Sequence, residues 1–597
     1  MWNRQTIAVV AFVLFLRLPF LNQAILGDDV YYLYGAQHAQ IDPLHPLCAH
    51  YVFGGVDVSM QGHPHPPFNV WFLGALLAIF KDVHEPVFHA AYILFSLIAA
   101  LSALSIARHF TQKPLLATLL FCAAPPFVVN GNSLESDLPL VAFWLLTIAL
   151  HLNERWLACG VAMIFAAFSG YQSVVLIPIL YLRRTGPLWL LGVIPAVLGG
   201  WQLFERATSG TLPVQVLGGY FETYGLQKLT NKIRNAIGLL GHLAWLTTPL
   251  LWQRRDWLFA LLPAAVAAYF DPNPLCWVSV GAGAMLLAQM RREKWLGHWV
   301  LLFFAAAIVI FFAGASRYLL PLVLPVAILA AERARPWHVA ATLVPGFLLA
   351  VVNYQHWDAY RALKIPDDRR VWINTELGAR FYLESQGGVP LERNQRVLPG
   401  EWIVSSQLTA IPHKPGNVLK TESITSQIPL RIIGINSRSG FSTVQQGLRP
   451  FDISTAPIDT VTYEAIVAHK PTKSFLTMND PEADRHIVAG VFELEDKSRW
   501  AEPNAIFQLK RPSSDAPIEV VLYLPPSAPG RVVTIKLDGA VVHSVTLPGP
   551  GLHTIKTKPL APSNEDAQVE VAIDKAIAQQ ADARRLGMVL ASVGFAR

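Results

Sequence analysis

Charge is what this chain has least of. Of its 597 residues only 15% are charged while 53% are hydrophobic, and that excludes a disordered chain and argues against a single soluble globule. Cysteine is nearly absent too. The four present, Cys48, Cys122, Cys159 and Cys276, all fall in the first half, so no disulfide framework or cysteine-type zinc site is readable. There is no HExxH motif, no phosphate-cradling Gly-rich loop and no Walker-type sequence, which leaves no support for cytoplasmic nucleotide energy. The formal charge of +6 is modest, and its basic residues sit in pairs between apolar runs. That pattern belongs to membrane topology, and no nucleic-acid partner is expected.

The charges that exist are unevenly placed. Residues 1–353 carry 20 Lys/Arg and 15 Asp/Glu, and residues 354–597 carry 27 and 26. The front part reads as membrane and the back part as ordinary soluble composition. A hydrocarbon-crossing helix needs about 20 apolar residues. Runs of this kind occur at 5–21, 87–107, 114–130, 137–151, 186–204, 236–253, 257–270, 275–290, 296–314, 318–331 and 337–353. The first follows Arg4, but Asn22-Gln23-Ala24 is a poor cleavage site, so it reads as a retained span.

Orientation follows from the short basic loops. Arg183-Arg184, Arg254-Arg255, Arg291-Arg292-Glu293-Lys294 and Arg333-Ala334-Arg335 fall at every second loop, so all four can be cytoplasmic together. The last span then exits outward and residues 354–597 lie outside. Parity makes 66–80 a helix lying along the outer interface and splits 156–182 near Gly170 into two short passes. The count becomes about 13 spans, with large outer loops at 22–86 and 205–235. The expected architecture is a polytopic α-helical membrane domain, 1–353, a mixed α/β region, 354–490, and a jelly-roll-like β-sandwich, 491–597. The sandwich is read from strand-like runs at 518–524, 532–537, 541–547 and 588–595, separated by Pro525-Pro526, Asp538-Gly539 and 548–551.

Candidate chemistry concentrates on the outer face. Asp28 and Asp29 follow the first span directly, and paired carboxylates at a membrane boundary are costly unless used. Either could act as a general base on an acceptor hydroxyl or amine, or they could simply end a helix in water. The same loop carries His38, His45, His50, His63 and His65; the last two, beside carboxylates, are candidates for a divalent metal. Asp137, in Glu135-Ser136-Asp137-Leu138-Pro139, is an ordinary helix cap or a substrate-orienting group on that face. Lys228, Arg234, Arg317 and Tyr318 are candidates for gripping a lipid phosphate, with snorkelling to the interface as the plain alternative.

These short motifs together resemble the GT-C superfamily of integral membrane glycosyltransferases. They are the first span with Asp28-Asp29 and Tyr31-Tyr32, the loop ending His65-Pro66-Pro67, the second outer Asp137-Leu138-Pro139 and the late Arg317-Tyr318-Leu319-Leu320-Pro321. The closest likeness is to bacterial relatives of protein O-mannosyltransferases and aminoarabinose lipid A transferases, over roughly residues 1–353. The resemblance implies an inner-membrane, multi-pass, inverting glycosyltransferase with a polyprenyl-phosphate sugar donor and a lipid, protein or glycan acceptor. It also implies a first-loop carboxylate as base, with Asp29 favoured over Asp28. Asp-Asp departs from the family's usual Asp-Glu, and Gly170-Tyr171-Gln172 replaces a usual lysine. A transporter or flippase for a lipid-linked sugar and an inert scaffold presenting a carbohydrate-binding sandwich are the rival readings, the first disfavoured because no inverted internal repeat is visible.

Overall fold

The computed structural model describes residues 3–223, 225, 227–251, 256–311, 313–393, 395–466, 470–526, 528, 530–563, 565–577 and 585–596. The basic pair Arg254-Arg255 and residue Arg584 lie outside these. The first half is helical and the C-terminal part sheet-rich, as the composition change implies.

Among the described residues two helices, Glu85–Ala107 and Pro336–Tyr360, are by length and composition enough to cross a membrane alone; nine further apolar helices have 10–17 residues. Among the described residues, the expected runs 87–107 and 337–353 are met by these two helices and 186–204 by the 19-residue helix Leu190–Thr208. Local chemistry explains the shortening elsewhere. Pro125-Pro126 divides the run 114–130 into Pro114–Ala123 and Pro125–Asn130, because proline lacks the N–H that would continue the first helix. The run 156–182 breaks after Ser169 at an extended Gly170, and a 3-10 turn, Tyr171–Val175, leads into Leu176–Arg183.

The segment after the first helix, 22–84, is highly structured. It contains helix Asp29–His38, a hairpin of His50–Phe53 with Val56–Ser59, and helix Phe68–Phe80. Gly74 lets the last of these approach helix Asp29–His38: an added Cβ would sit 3.2 Å from that of Ala39. One apolar core runs through the helical half, and Val30, Tyr31, Tyr32 and Leu33 belong to it.

Two sheets follow among the described residues. The first has five strands in the order Val389–Pro390, Val371–Asn374, Trp402–Ser406, Asp459–Ala465 and Asn417–Ile424. Its first three strands run parallel and the remaining pairings are antiparallel. Its core includes Ala24 and Leu26 from the first loop beside Val371, Ile373 and Trp357. The second sheet has nine strands, all antiparallel, spanning Phe475 to Phe595. Alternation buries every second residue of Ile518–Leu524 through Leu522 and of Asp566–Ile573, the period expected of a sheet with one face on a core. Asp538-Gly539 joins Arg531–Leu537 to Ala540–Leu547 with both residues at positive φ, the backbone of a two-residue type I′ hairpin.

Candidate active site

The first helix ends in a 3-10 turn, Leu18–Phe20, and the chain then turns at Gly27. Gly27 has φ +48°, and a Cβ there would stand 3.0 Å from Glu135 Oε1, so the turn suits glycine both conformationally and sterically. Asp28 and Asp29 come next and are treated differently by the fold. Asp29 is wholly buried. Its Oδ1 accepts the Leu134 N–H at 2.8 Å and its Oδ2 the Leu26 N–H at 3.2 Å, which ties the first outer loop to the turn before Asp137. Asp28 keeps a 36% exposed side chain and lies 3.0 Å from Arg317 Nη2.

The second turn is built on a buried arginine. Arg17, in the first helix, donates to the carbonyls of Phe127 (2.7 Å) and Val128 (3.0 Å), to Asn132 Oδ1 (3.1 Å) and to Ser96 Oγ (2.9 Å). It thus serves carbonyl groups at the end of Pro125–Asn130, where a cation also complements the helix dipole. Gly131 makes room for it: a Cβ would fall 1.8 Å from the guanidinium. Beyond it, Asn69 Nδ2 and Tyr92 OH both donate to the Leu134 carbonyl, at 2.8 and 2.9 Å. Ser136 Oγ donates to the Ser169 carbonyl at 2.7 Å, and His65 Nδ1 lies 3.2 Å from the same oxygen.

Arg317 is the second residue of the 3-10 turn Ser316–Leu319 and meets three carboxylates from the other two segments. Nη1 is 2.5 Å from Glu135 Oε2, Nη2 is 3.0 Å from Asp28 and Nε is 3.6 Å from Asp137 Oδ2. The last pair is an ion pair rather than a hydrogen bond; both atoms are buried and without a hydrogen-bond partner among the described residues. Tyr318 stacks on Phe311 with ring centres 4.0 Å apart, and the Arg317 guanidinium is 5.7 Å from its ring.

Four acids around one arginine cannot all be ionised cheaply. Burial, and then the Glu135 carboxylate, holds the Asp29 carboxyl well above the ordinary range. Burial also raises Glu135, against the pull of Arg317. For Arg317 burial acts downward, but Glu135, Asp137 and Asp28 outweigh it and keep the guanidinium firmly charged.

The candidates divide accordingly. Asp28, Asp29, Asp137, Arg317 and Tyr318 converge, whereas Lys228 and Arg234 do not join them. Lys228 is exposed at the start of helix Leu229–Leu243, and Arg234 donates to the Val444 carbonyl at 3.3 Å. His63 packs edge-on against Tyr32 at 4.8 Å, and burial keeps both His63 and His65 below the usual imidazole range. Among the described residues no three His, Cys, Asp or Glu side chains form a group that could hold a metal. Glu135 and Arg17 are additions that the sequence reading did not single out. Glu135 lies two residues before Asp137, and a lone arginine inside an apolar run was the available signal for Arg17.

Residues 64–201 match the family model described as dolichyl-phosphate-mannose-protein mannosyltransferase. The resemblance to GT-C glycosyltransferases is borne out over that stretch. It contains His65, the Glu135–Asp137 turn and Ser169. Similar solved structures include ArnT from Cupriavidus metallidurans bound to undecaprenyl phosphate, at 17% identity and TM-score 0.36, covering 61% of this chain and 67% of that one. The apo state of ArnT from the same organism aligns at 14% identity and TM-score 0.39, covering 67% of this chain and 92% of that one. No curated protein matches the chain.

Proposed function

We propose that this protein is an integral membrane glycosyltransferase that moves a sugar from a polyprenyl-phosphate donor to an acceptor at the outer face. The observation that carries the reading is the meeting of Asp28, Glu135 and Asp137 on Arg317 from three separate turns. One of these turns lies in the stretch matching a family named for a dolichyl-phosphate-linked sugar.

In this mechanism Asp28 is the base, because its carboxylate is the accessible member of the pair and Asp29 is held on two backbone N–H groups. Asp28 takes the acceptor proton as the acceptor atom forms its bond to the anomeric carbon. The bond from that carbon to the phosphate oxygen breaks with inversion, and its electron pair leaves on polyprenyl phosphate. Arg317, whose side chain is 20% exposed, meets the developing phosphate charge. Tyr318 backs the guanidinium, exposed Lys228 steers the headgroup and Arg234 braces the nearby chain. Asp137 orients the acceptor.

The test is transfer by the full chain in nanodiscs, with labelled polyprenyl-phosphate sugar, envelope acceptors and no ion gradient. Release of polyprenyl phosphate with sugar in the acceptor fraction supports the reading. Movement of intact donor across vesicles without cleavage would replace it by transport.

A further inference from the structure

The residues that meet at Arg317 do not hold themselves in place. Both the Asp28 turn and the Arg317 turn are hydrogen-bonded to chain that follows the last apolar helix. Before Asp28, the Ile25 N–H donates to Tyr382 OH at 2.8 Å and to Glu85 Oε1 at 3.3 Å. Tyr382 bonds Glu85 in turn. Arg361 Nη2 reaches Glu85 Oε2 at 2.6 Å and the Asn22 carbonyl at 2.8 Å. Gly378 lies so close that a Cβ would be 2.1 Å from the Ile25 carbonyl oxygen.

After Asp29, Tyr31 OH donates to Glu376 Oε2 at 2.5 Å and Tyr34 OH to Glu384 at 2.7 Å. Glu376 also takes the Gly54 N–H at 2.8 Å and pairs with Arg380 at 2.9 Å. Arg380 is itself buried and donates to the Val52 carbonyl.

The Arg317 turn is held by a later segment. The Ser316 N–H donates to the Phe441 carbonyl at 2.9 Å, and the Val444 N–H to the Ala313 carbonyl at 2.6 Å. Val444 fills the space beside Gly314, where an added Cβ would be 2.6 Å from it. Arg449 anchors this segment to Asp271 between two helices, at 2.7 and 3.1 Å.

We infer that residues 361–384 and 441–444 are positioning elements of the transfer site, the first holding the Asp28 turn and the second the Arg317 turn. The inference rests on the proposed transfer reaction for its consequence, not for its geometry. The region after the last apolar helix is then part of the site rather than an appended module. Reacting groups need placement within a fraction of an ångström, and a misplacement of about 1 Å costs on the order of 10²-fold in rate.

The test uses full-length Tyr31→Phe, Glu376→Gln and Val444→Gly in nanodiscs, with Glu570→Gln as control. Glu570 pairs with Lys536 within the nine-stranded sheet, away from these contacts. For the first three, kcat should fall by about 10- to 100-fold while the donor KM moves less than about twofold. Amide exchange should rise over 22–38 in Tyr31→Phe and Glu376→Gln, and over 313–320 in Val444→Gly, with residues 530–563 unchanged. The control should match wild type in every readout. Wild-type kcat in both Tyr31→Phe and Glu376→Gln, or unaltered exchange over 22–38 in both, overturns the inference. Were wild type to transfer no sugar, the function reading would fall by itself, and the exchange data would still decide whether these residues hold the two turns.

Discussion

At the scale of the residue, two neighbouring aspartates sit in different environments, because one turn buries the second and leaves the first accessible. Asp28→Asn should lower turnover at saturating donor by about 10²–10⁴, the usual worth of a general base, with little change in thermal midpoint. Asp29→Asn should act on the fold instead. Its amide would face the Leu26 or Leu134 N–H, and a buried donor left unmet costs roughly 1–3 kcal/mol. Full turnover in Asp28→Asn would move the base elsewhere. Arg317 addresses three carboxylates through three different nitrogens, which a lysine ammonium cannot reproduce. Arg317→Lys should therefore lose about 10²–10³ in rate, close to Arg317→Ala; a lysine variant with normal kinetics would reduce Arg317 to an interfacial anchor. The raised carboxyls set a pH dependence as well. Folded, Asp29 and Glu135 keep protons that an unfolded chain gives up near about pH 4, so stability is greatest in acid and falls as pH rises through their raised values. The thermal midpoint should drop between mildly acidic and alkaline buffer, and Glu135→Gln should flatten that slope. A midpoint that rises with pH would contradict it.

At the scale of the element, the second acidic turn depends on a cation in another helix. Arg17 satisfies two carbonyls and two side-chain oxygens around the end of Pro125–Asn130, and the Glu135–Asp137 turn follows directly. Arg17→Met removes charged hydrogen bonds and leaves buried acceptors unmet, an expected loss of roughly 2–4 kcal/mol read in denaturation. Transfer should weaken in the same variant, because Leu134 and Glu135 would no longer be held against Asp29 and Arg317. Apolar runs and prolines in the sequence marked where helices would start, and Pro125-Pro126 and Gly170 broke them as backbone chemistry requires. Helix lengths were less legible, since hydropathy reports which residues avoid water and not where the hydrogen-bond ladder ends.

At the scale of the whole molecule, the alternation of basic loops in the sequence predicts that the sheet-rich region lies outside the cytoplasm. An Asp515→Cys variant, with Cys48 replaced by serine, should react with an impermeant maleimide in intact cells. Reaction only after the inner membrane is opened would reverse the orientation.

What the sequence determined alone was local: which stretches avoid water, where proline and glycine interrupt them, the Asp538-Gly539 hairpin, and the short acidic and basic motifs on one face. Each of these follows from the chemistry of a few neighbouring residues. What the tertiary structure decided was the company those residues keep. That Asp29 would be buried and Asp28 left accessible, that Glu135 would join the cluster, that Lys228 and Arg234 would stay apart from it, and that Tyr382 and Glu376 would reach back to the first loop all depend on contacts between residues tens to hundreds of positions apart. Such contacts leave no periodicity in the sequence, because burial and hydrogen-bond partnership are set by the packing of whole helices and sheets against one another.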